Sequence, residues 1–183
     1  MGDIYNILVT GVGGQGIITL GKLLREYGVR APLIENVVGT ETRGVSQREG
    51  SVNATVRYLL NNRLYSLDQH YKKEDLISPL IPINDAFLVL GLEPLETLRN
   101  LKYISEKTLI ILNTHKRFPK NALLRKSASK SYPSTADIIE ILDQFARRVI
   151  ALDLNELSEK NKNFAPEINI DAFELGYNLI NDF

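Results

Sequence analysis

Three glycines near the N-terminus have the spacing most directly suggestive of ligand chemistry. They follow the short apolar run Ile7–Val9 at G-x-G-x-x-G spacing, and apolar residues recur after them at helical intervals. In a strand–turn–helix unit, the first glycine permits a tight turn, the second lets the backbone approach a ligand and the third lets helix and strand pack closely. The start of the following helix attracts anions. The predicted cofactor-binding residues are Gly11, Gly13, Gly14, Gln15 and Gly16.

Glu35 supplies a second feature of a dinucleotide site. It lies roughly 20 residues beyond the last glycine of the motif, the offset at which dinucleotide-binding folds place a carboxylate on the ribose hydroxyls. This spacing is compatible with a stand-alone oxidoreductase that binds NAD(P). The alternative is an ordinary charged residue at the end of a second strand, Ala31–Glu35.

The segment Gly39–Gly50 is rich in polar and charged groups and poor in residues that could form a core. We predict a loop over the carboxyl end of the sheet, close to the glycine turn, because open α/β sheets form their sites there. Arginine binds carboxylate or phosphate with a planar fork, which favours Arg43 and Arg48 as anion ligands. A solvated loop with internal ion pairs is the alternative. The candidate residues are Glu41, Arg43, Gly44, Ser46, Gln47 and Arg48.

The residue inventory excludes several kinds of chemistry. The chain contains no cysteine, so it cannot ligate an iron–sulfur cluster through thiolates, form a disulfide or use a cysteine nucleophile. His70 and His115 lie far apart without a metal-binding motif, and we predict no metal site. The chain also lacks a G-x-S-x-G nucleophile elbow and a G-x-x-x-x-G-K-[ST] phosphate loop. No catalytic residue can be assigned.

Length and charge place the chain among ordinary globular proteins. Its 183 residues fit one domain, predicted to span residues 1–183, and 44% of them are hydrophobic. The formal net charge of zero disfavours a nucleic-acid binder. No apolar run approaches the roughly 20 residues needed to cross a bilayer, and the N-terminus lacks a signal-peptide pattern. We therefore expect a cytoplasmic protein without a nucleic-acid or membrane partner.

Short apolar strands separated by helices or long crossovers predict an α/β fold with a Rossmann-like, doubly wound and mostly parallel sheet. The alternating strand Ser51–Tyr58 predicts one solvent-facing side and an antiparallel departure. The other predicted strands are Ile7–Val9, Ala31–Glu35, Arg63–Leu67, Ala86–Leu90, Thr108–Leu112 and Val149–Leu152. The remaining predicted elements are a helix from Ile17 that is capped at Gly28, a connector Leu76–Ile83, and helices Glu93–Ile104, Ser134–Phe145, Asn155–Lys160 and Asp171–Ile180. For the helix that starts at Ser134, the pair Ser134 and Asp137 predicts a capping box.

Four sequence segments together resemble a known family. They are GVGGQG at residues 11–16, ETRG at 41–44, SQREGSV at 46–52 and EPLETLR at 93–99. They are similar to the gamma subunit or domain of the 2-oxoacid:ferredoxin oxidoreductases, which include enzymes for pyruvate, 2-oxoglutarate, branched-chain 2-oxoacids (ketoisovalerate) and indolepyruvate. The segment at 46–52, with Asn113-Thr114 and Tyr132-Pro133, is most similar to the beta subunit of indolepyruvate oxidoreductases.

The resemblance implies a gamma-type subunit of an enzyme that oxidatively decarboxylates a 2-oxoacid to its acyl-coenzyme A and passes the electrons to ferredoxin. It implies that thiamine diphosphate, magnesium and the iron–sulfur clusters reside on partner subunits, that coenzyme A is a co-substrate and that the isolated chain is inactive. The absence of cysteine agrees with this division. Two roles stay open for the glycine turn and the loop Glu41–Arg48, namely enclosing the partner's active-site cleft or serving as a structural docking surface.

Overall fold

The computed structural model describes residues 4–44, 50–60, 78–116 and 133–154. Contacts divide the chain into a compact unit, Met1–Leu152, and a second unit, Asp153–Phe183, and all elements named here belong to the first. The prediction of one domain over residues 1–183 stays a prediction. The strands are β1 Ile4–Val12, β2 Ile34–Arg43, β3 Ser51–Leu60, β4 Leu88–Gly91, β5 Leu109–Asn113 and β6 Arg148–Leu152. The helices are α1 Ile17–Arg30, α2 Pro94–Arg99, a 3₁₀ turn Leu101–Tyr103 and α3 Thr135–Phe145.

The described strands form one six-stranded sheet in the order β2-β3-β1-β4-β5-β6. Strand β1 pairs in parallel with β4, β4 with β5, and β5 with β6. Strand β3 runs antiparallel to both β1 and β2. Leu8 and Val9 of the central strand β1 are fully buried and belong to different core clusters, one on each face of the sheet. Helix α1 packs on the face of Val9, and α2 and α3 pack on the face of Leu8. The predicted α/β fold with a mostly parallel, doubly wound sheet is confirmed.

Strand β2 corrects two predictions. It starts at Ile34 and continues to Arg43, so the predicted strand Ala31–Glu35 is misplaced and most of the predicted loop before Gly44 is strand. Its residues pair antiparallel with β3 along almost its whole length. As the edge strand of the described sheet, β2 is stabilised by these ladder bonds and needs few buried side chains. A prediction that looks for buried apolar residues therefore does not detect the full length of β2.

Strand β3 is antiparallel, as predicted, but the predicted solvent-facing side is wrong. Thr55 is 9% exposed and Arg57 is 8% exposed, because Ser78 and Pro79 of the connector lie over them. Thr55 Oγ1 donates to the Pro79 carbonyl at 2.7 Å, and Arg57 donates to the Ser78 carbonyl and to Asn6 Oδ1. Burial lowers the pKa of the Arg57 guanidinium, and a nearby carboxylate, that of Asp85, partly offsets the shift.

Helix α1 packs against the sheet through glycines. A Cβ on Gly21 would lie 2.8 Å from Ala54 Cβ, and a Cβ on Gly28 would lie 2.4 Å from a Val37 methyl group. Gly28 therefore serves close packing within the helix, and its predicted role as C-cap is wrong because α1 continues to Arg30.

Helix α2 is shorter than the predicted helix Glu93–Ile104. It ends at Arg99 and is followed by a 3₁₀ turn, and it buries Pro94, Glu96 and Thr97 rather than an apolar stripe. The sheet surface below it is polar at Thr10 and Asn53, which explains why polar side chains face inward.

The remaining elements agree more closely with their predictions. The capping box of α3 is confirmed, since Ser134 Oγ accepts from the Asp137 N–H at 3.0 Å and the Ser134 N–H donates to the Asp137 carboxylate. Strands β4, β5 and β6 fall within about two residues of their predicted bounds. The predicted strand Arg63–Leu67 and the predicted helices Asn155–Lys160 and Asp171–Ile180 lie outside the described residues.

Candidate functional site

The turn between β1 and α1 contains two glycines with left-handed backbone angles. Gly14 has φ = 90° and Gly16 has φ = 83°, a conformation that costs a residue with a Cβ about 1–2 kcal/mol. A Cβ on Gly16 would meet no atom within 4 Å. The helix–strand packing role predicted for Gly16 is therefore wrong, and the residue is required for its backbone conformation.

Gln15 stabilises this turn from within. Its Oε1 accepts from the Val12 N–H at 2.8 Å, and its Nε2 donates to the Leu92 carbonyl at 2.8 Å. Gly11 leaves room for this arrangement, since a Cβ there would lie 2.7 Å from Gln15 Oε1. The side chain of Gln15 is thus used in shaping the turn and in linking β1 to the residue that follows β4. Its predicted contact with a cofactor stays a prediction.

A cavity of about 220 Å³ opens at the start of α1. No side chain caps this end of the helix, and the first amides of a helix have no intrahelical acceptor. These amides and the positive end of the helix dipole favour an anion, such as a phosphate or a carboxylate. The cavity is lined by Gly13, Gly14, Gly16, Ile17, Ile18, Thr19 and Val52.

The β2–β3 hairpin borders this cavity. Gly13 donates its N–H to the Gly50 carbonyl at 2.9 Å, which brings the end of the hairpin next to the glycine turn. Arg43 is exposed and stands opposite Val52, a cavity-lining residue, in the strand register. Residues directly opposite in an antiparallel pair share a face of the sheet, so Arg43 flanks the cavity on the α1 side.

The other predicted residues of this loop have different positions. Glu41 forms an ion pair with Arg25 of α1 at 2.8 Å, and both side chains are partly buried. Its carboxylate therefore fastens β2 to α1. Gly44 donates its N–H to the Ser51 carbonyl at the base of the hairpin connection. Ser46, Gln47 and Arg48 lie outside the described residues.

Glu35 lies at the wrong end of the sheet for a ribose contact. Glu35 lies at the start of β2, next to Asn36, which pairs with Leu59 of β3. Leu59 also pairs with Ile4, the first residue of β1, whereas the glycine turn follows the last residue of β1. At about 3.3 Å per residue, the length of β1 puts the two ends about 26 Å apart. Strand β3 also separates β2 from β1. The dinucleotide interpretation of Glu35 is therefore contradicted by the topology.

Sequence reasoning missed a buried polar cluster next to the turn. Its residues come from β1, β3 and the β4–α2 region, and all are partly or fully buried. Glu93 caps α2 by accepting from the Glu96 N–H at 2.8 Å, and Asn100 Nδ2 donates to Thr10 Oγ1 at 2.9 Å. Thr10 could have indicated it, because it directly follows the apolar run Ile7–Val9 within β1. Asn53 could not, because polar residues alternate along β3. The cluster comprises Thr10, Asn53, Glu93, Glu96, Thr97 and Asn100.

Within the described ranges, no group of three His, Cys, Asp or Glu side chains is arranged to hold a metal ion. His115 is exposed just beyond the end of β5, and His70 falls outside those ranges. No helix in the part of the chain that the structure describes is long and apolar enough to cross a membrane. The geometry thus offers a cavity at the uncapped start of α1 and, next to the glycine turn, a buried polar cluster.

The mixed six-stranded sheet, with its glycine turn after the central strand β1, places the chain in the Rossmann-like α/β class. Comparison with family models identifies the family. The model of the family described as pyruvate ferredoxin/flavodoxin oxidoreductase matches residues 6–166. The chain therefore belongs to this family, which confirms the resemblance found in its sequence.

Two relatives share the name indolepyruvate oxidoreductase subunit IorB. The protein from Archaeoglobus fulgidus is 37% identical over 155 residues, covering 85% of this chain and 67% of the relative. The protein from Methanothermobacter thermautotrophicus is 35% identical over 156 residues, covering 85% of this chain and 69% of the relative. The chain thus spans about two thirds of the length of these relatives, which are oxidoreductase subunits.

Solved structures support the fold. The pyruvate oxidoreductase subunit PORC from Thermotoga maritima has a TM-score of 0.51 at 13% identity, covering 86% of this chain and 66% of that one. The 2-oxoglutarate:ferredoxin oxidoreductase from Magnetococcus marinus, solved with 2-oxoglutarate, coenzyme A and succinyl-CoA bound, has a TM-score of 0.52 at 16% identity. That match covers 88% of this chain and 22% of the other chain.

Proposed function

We propose that this chain is the cluster-free subunit of an indolepyruvate:ferredoxin oxidoreductase in the cytoplasm. The reaction cleaves the bond between the 2-oxo carbon and the carboxylate, releases carbon dioxide, forms a thioester with coenzyme A and passes electrons to ferredoxin. Membership in the family and the indolepyruvate relatives support the reaction class and the substrate. The absence of cysteine supports a division of labour in which a partner subunit holds the clusters.

The partner would also hold thiamine diphosphate and magnesium. When bound there, thiamine diphosphate supplies the carbanion stabilisation that decarboxylation of a 2-oxoacid requires. No pattern of the G-D-G…N-N kind that holds this cofactor occurs in this chain. We therefore expect the isolated chain to be inactive.

The observation that carries the proposed role is the uncapped start of α1 beside Arg43. Helix amides and an arginine at one cavity can neutralise the phosphates of coenzyme A or the carboxylate of the 2-oxoacid. Gly13, Gly14 and Gly16 contribute no side chain to the cavity wall, so an anion can approach the backbone at the turn. In this role the chain binds and orients an anionic reactant and excludes water, while the partner's groups perform the chemistry.

Substituting Arg43 tests this role in the assembled complex. We expect Arg43→Gln to raise the KM for coenzyme A or for the 2-oxoacid by about tenfold to hundredfold, because a charge-assisted hydrogen bond is lost. Arg30→Gln is the matched control, since Arg30 is also exposed but lies at the far end of α1. Ferredoxin reduction, followed spectroscopically while each reactant is varied, identifies the reactant affected.

The same experiment distinguishes the docking alternative. Glu41 is already paired with Arg25, which leaves Arg43 as the exposed charge at the described end of the hairpin and so favours docking as a second candidate function. If Arg43→Gln dissociates the complex on gel filtration and Arg30→Gln does not, the hairpin is a docking surface. A wild-type complex that reduces ferredoxin with pyruvate but not with indolepyruvate would contradict the proposed substrate.

A further inference from the structure

The ion pair between Glu96 and Arg99 combines a buried partner with an exposed one. Glu96 is 2% exposed, whereas the side chain of Arg99 is 57% exposed. One carboxylate oxygen of Glu96 accepts from Arg99 Nη1, and the other oxygen is buried without a hydrogen-bond partner among the described residues. A half-satisfied buried carboxylate destabilises a fold relative to a neutral side chain of the same shape. A contribution to the stability of the fold therefore does not explain why this ion pair is present.

The pair does fix the direction of Arg99. A carboxylate anchored in the buried cluster holds one end of the guanidinium, and because 57% of the Arg99 side chain is exposed, the other N–H groups of its planar fork are accessible to an acceptor. A free arginine at a surface would lose much rotamer entropy on binding, and a pre-oriented one loses less. The arrangement is thus suited to binding an acceptor that approaches from outside the subunit.

The position of Arg99 indicates what kind of acceptor this is. Helix α2 lies on the face of the sheet opposite α1, so Arg99 is separated from the glycine cavity by the sheet itself. Beside α2, Asn53 donates to Asn100 Oδ1 at 3.0 Å, and Thr42 stands opposite Asn53 in the strand register. Thr42 is exposed and Asn53 is partly exposed. Thr42, Asn53 and Arg99 form what we call the α2 polar surface, and the exposed cation Lys102 follows Arg99 by three residues.

We propose that Arg99 binds a carboxylate of the partner subunit and that Glu96 is the positioning residue that aims it. This inference rests on the proposed function only in assuming a multisubunit complex. The charge of Arg99, the outward exposure of its side chain and its separation from the glycine cavity favour an acidic side chain on another chain over a small-molecule phosphate. Arginine is also enriched among the residues that dominate protein–protein binding.

The test compares four variants of the full chain, each expressed and purified without the cluster-bearing subunit. We expect Arg99→Gln to weaken subunit association about tenfold or more, measured as the Kd between the separately purified subunits. Glu96→Gln should weaken association in the same direction while leaving the Tm of the isolated chain unchanged or higher. Arg99→Lys, which keeps the charge but loses the fork, should have an intermediate Kd. Lys102→Gln, which removes another exposed cation just beyond α2, should associate like the wild type.

A double-mutant cycle separates positioning from general packing. If Glu96 acts through Arg99, the double variant Glu96→Gln/Arg99→Gln should associate no more weakly than Arg99→Gln alone. Additive losses, a lowered Tm for Glu96→Gln or an unchanged Kd for Arg99→Gln would overturn the proposal. A raised KM for coenzyme A with unchanged association would assign Arg99 to a phosphate and also overturn it. A complex that associates normally but does not oxidise indolepyruvate would contradict the proposed function and leave this measurement valid.

Discussion

Two strand-to-helix junctions lie side by side at the carboxyl edge of the sheet, and they differ in whether a side chain caps the helix that follows. After β1, the chain passes through left-handed glycines into a helix whose start has no side-chain cap and borders a cavity. After β4, Glu93 caps α2, Pro94 occupies the first turn, and both residues are buried. At the second junction, the Glu93 side chain accepts a hydrogen bond from a backbone amide at the start of the helix. At the first junction, no side chain accepts from the corresponding amides, so they are available to a ligand. One supersecondary unit can thus serve either binding or packing, depending on which residue precedes the helix.

The first prediction addresses the glycines of the two junctions. A Cβ on Gly91 would lie 2.2 Å from Thr97 Oγ1 and 2.9 Å from a Leu112 methyl group, whereas one on Gly16 meets no atom. We expect Gly91→Ala to lower the free energy of unfolding by about 2–3 kcal/mol through overpacking. Gly16→Ala should lower it by about 1 kcal/mol through backbone strain alone. Urea denaturation of the isolated chain measures both, and equal losses would contradict the contrast.

The second prediction removes the cap that distinguishes the junctions. Glu93→Ala should lower the free energy of unfolding by about 1–2 kcal/mol, because the Glu96 N–H loses its acceptor in a buried setting. Glu93→Gln retains an acceptor oxygen and should lose less. The same denaturation experiment compares them, and an alanine variant as stable as the glutamine variant would show that the cap contributes nothing.

The third prediction concerns how α1 is attached beyond its open start. Tyr58 donates to the Leu24 carbonyl at 2.6 Å, and burial raises the pKa of Tyr58 to about 12, with the nearby Tyr27 adding to the shift. Since the folded pKa exceeds the unfolded value of about 10, stability from the neutral phenol is complete below pH 10 and is lost as the pH rises toward 12. Relative to Tyr58→Phe, the wild type should therefore lose about 1 kcal/mol of unfolding free energy between pH 8 and pH 11. A difference that stays constant from pH 8 to pH 11 would contradict this assignment.

Local patterns predicted the glycine turn, the central strands and the capping box of α3, because each depends on residues close in the chain. The extent of β2 and the burial of Arg57 were predicted wrongly. Edge pairing and the covering connector depend on residues far apart in sequence, and no periodicity reports them. The dinucleotide interpretation of Glu35 failed for the same reason, since a spacing along the chain contains no information about an inserted antiparallel strand.

The sequence by itself determined the glycine motif, the lack of cluster ligands and the family, because these depend on residue types and their order. Only the tertiary structure decided which polar groups are available to a ligand. Gln15 and Glu41 are bonded within the fold, Arg43 is left beside the cavity, and Glu96 is buried with Arg99 facing outward. The physical reason is that availability depends on which hydrogen-bond partners the packed chain brings within about 3 Å of each group.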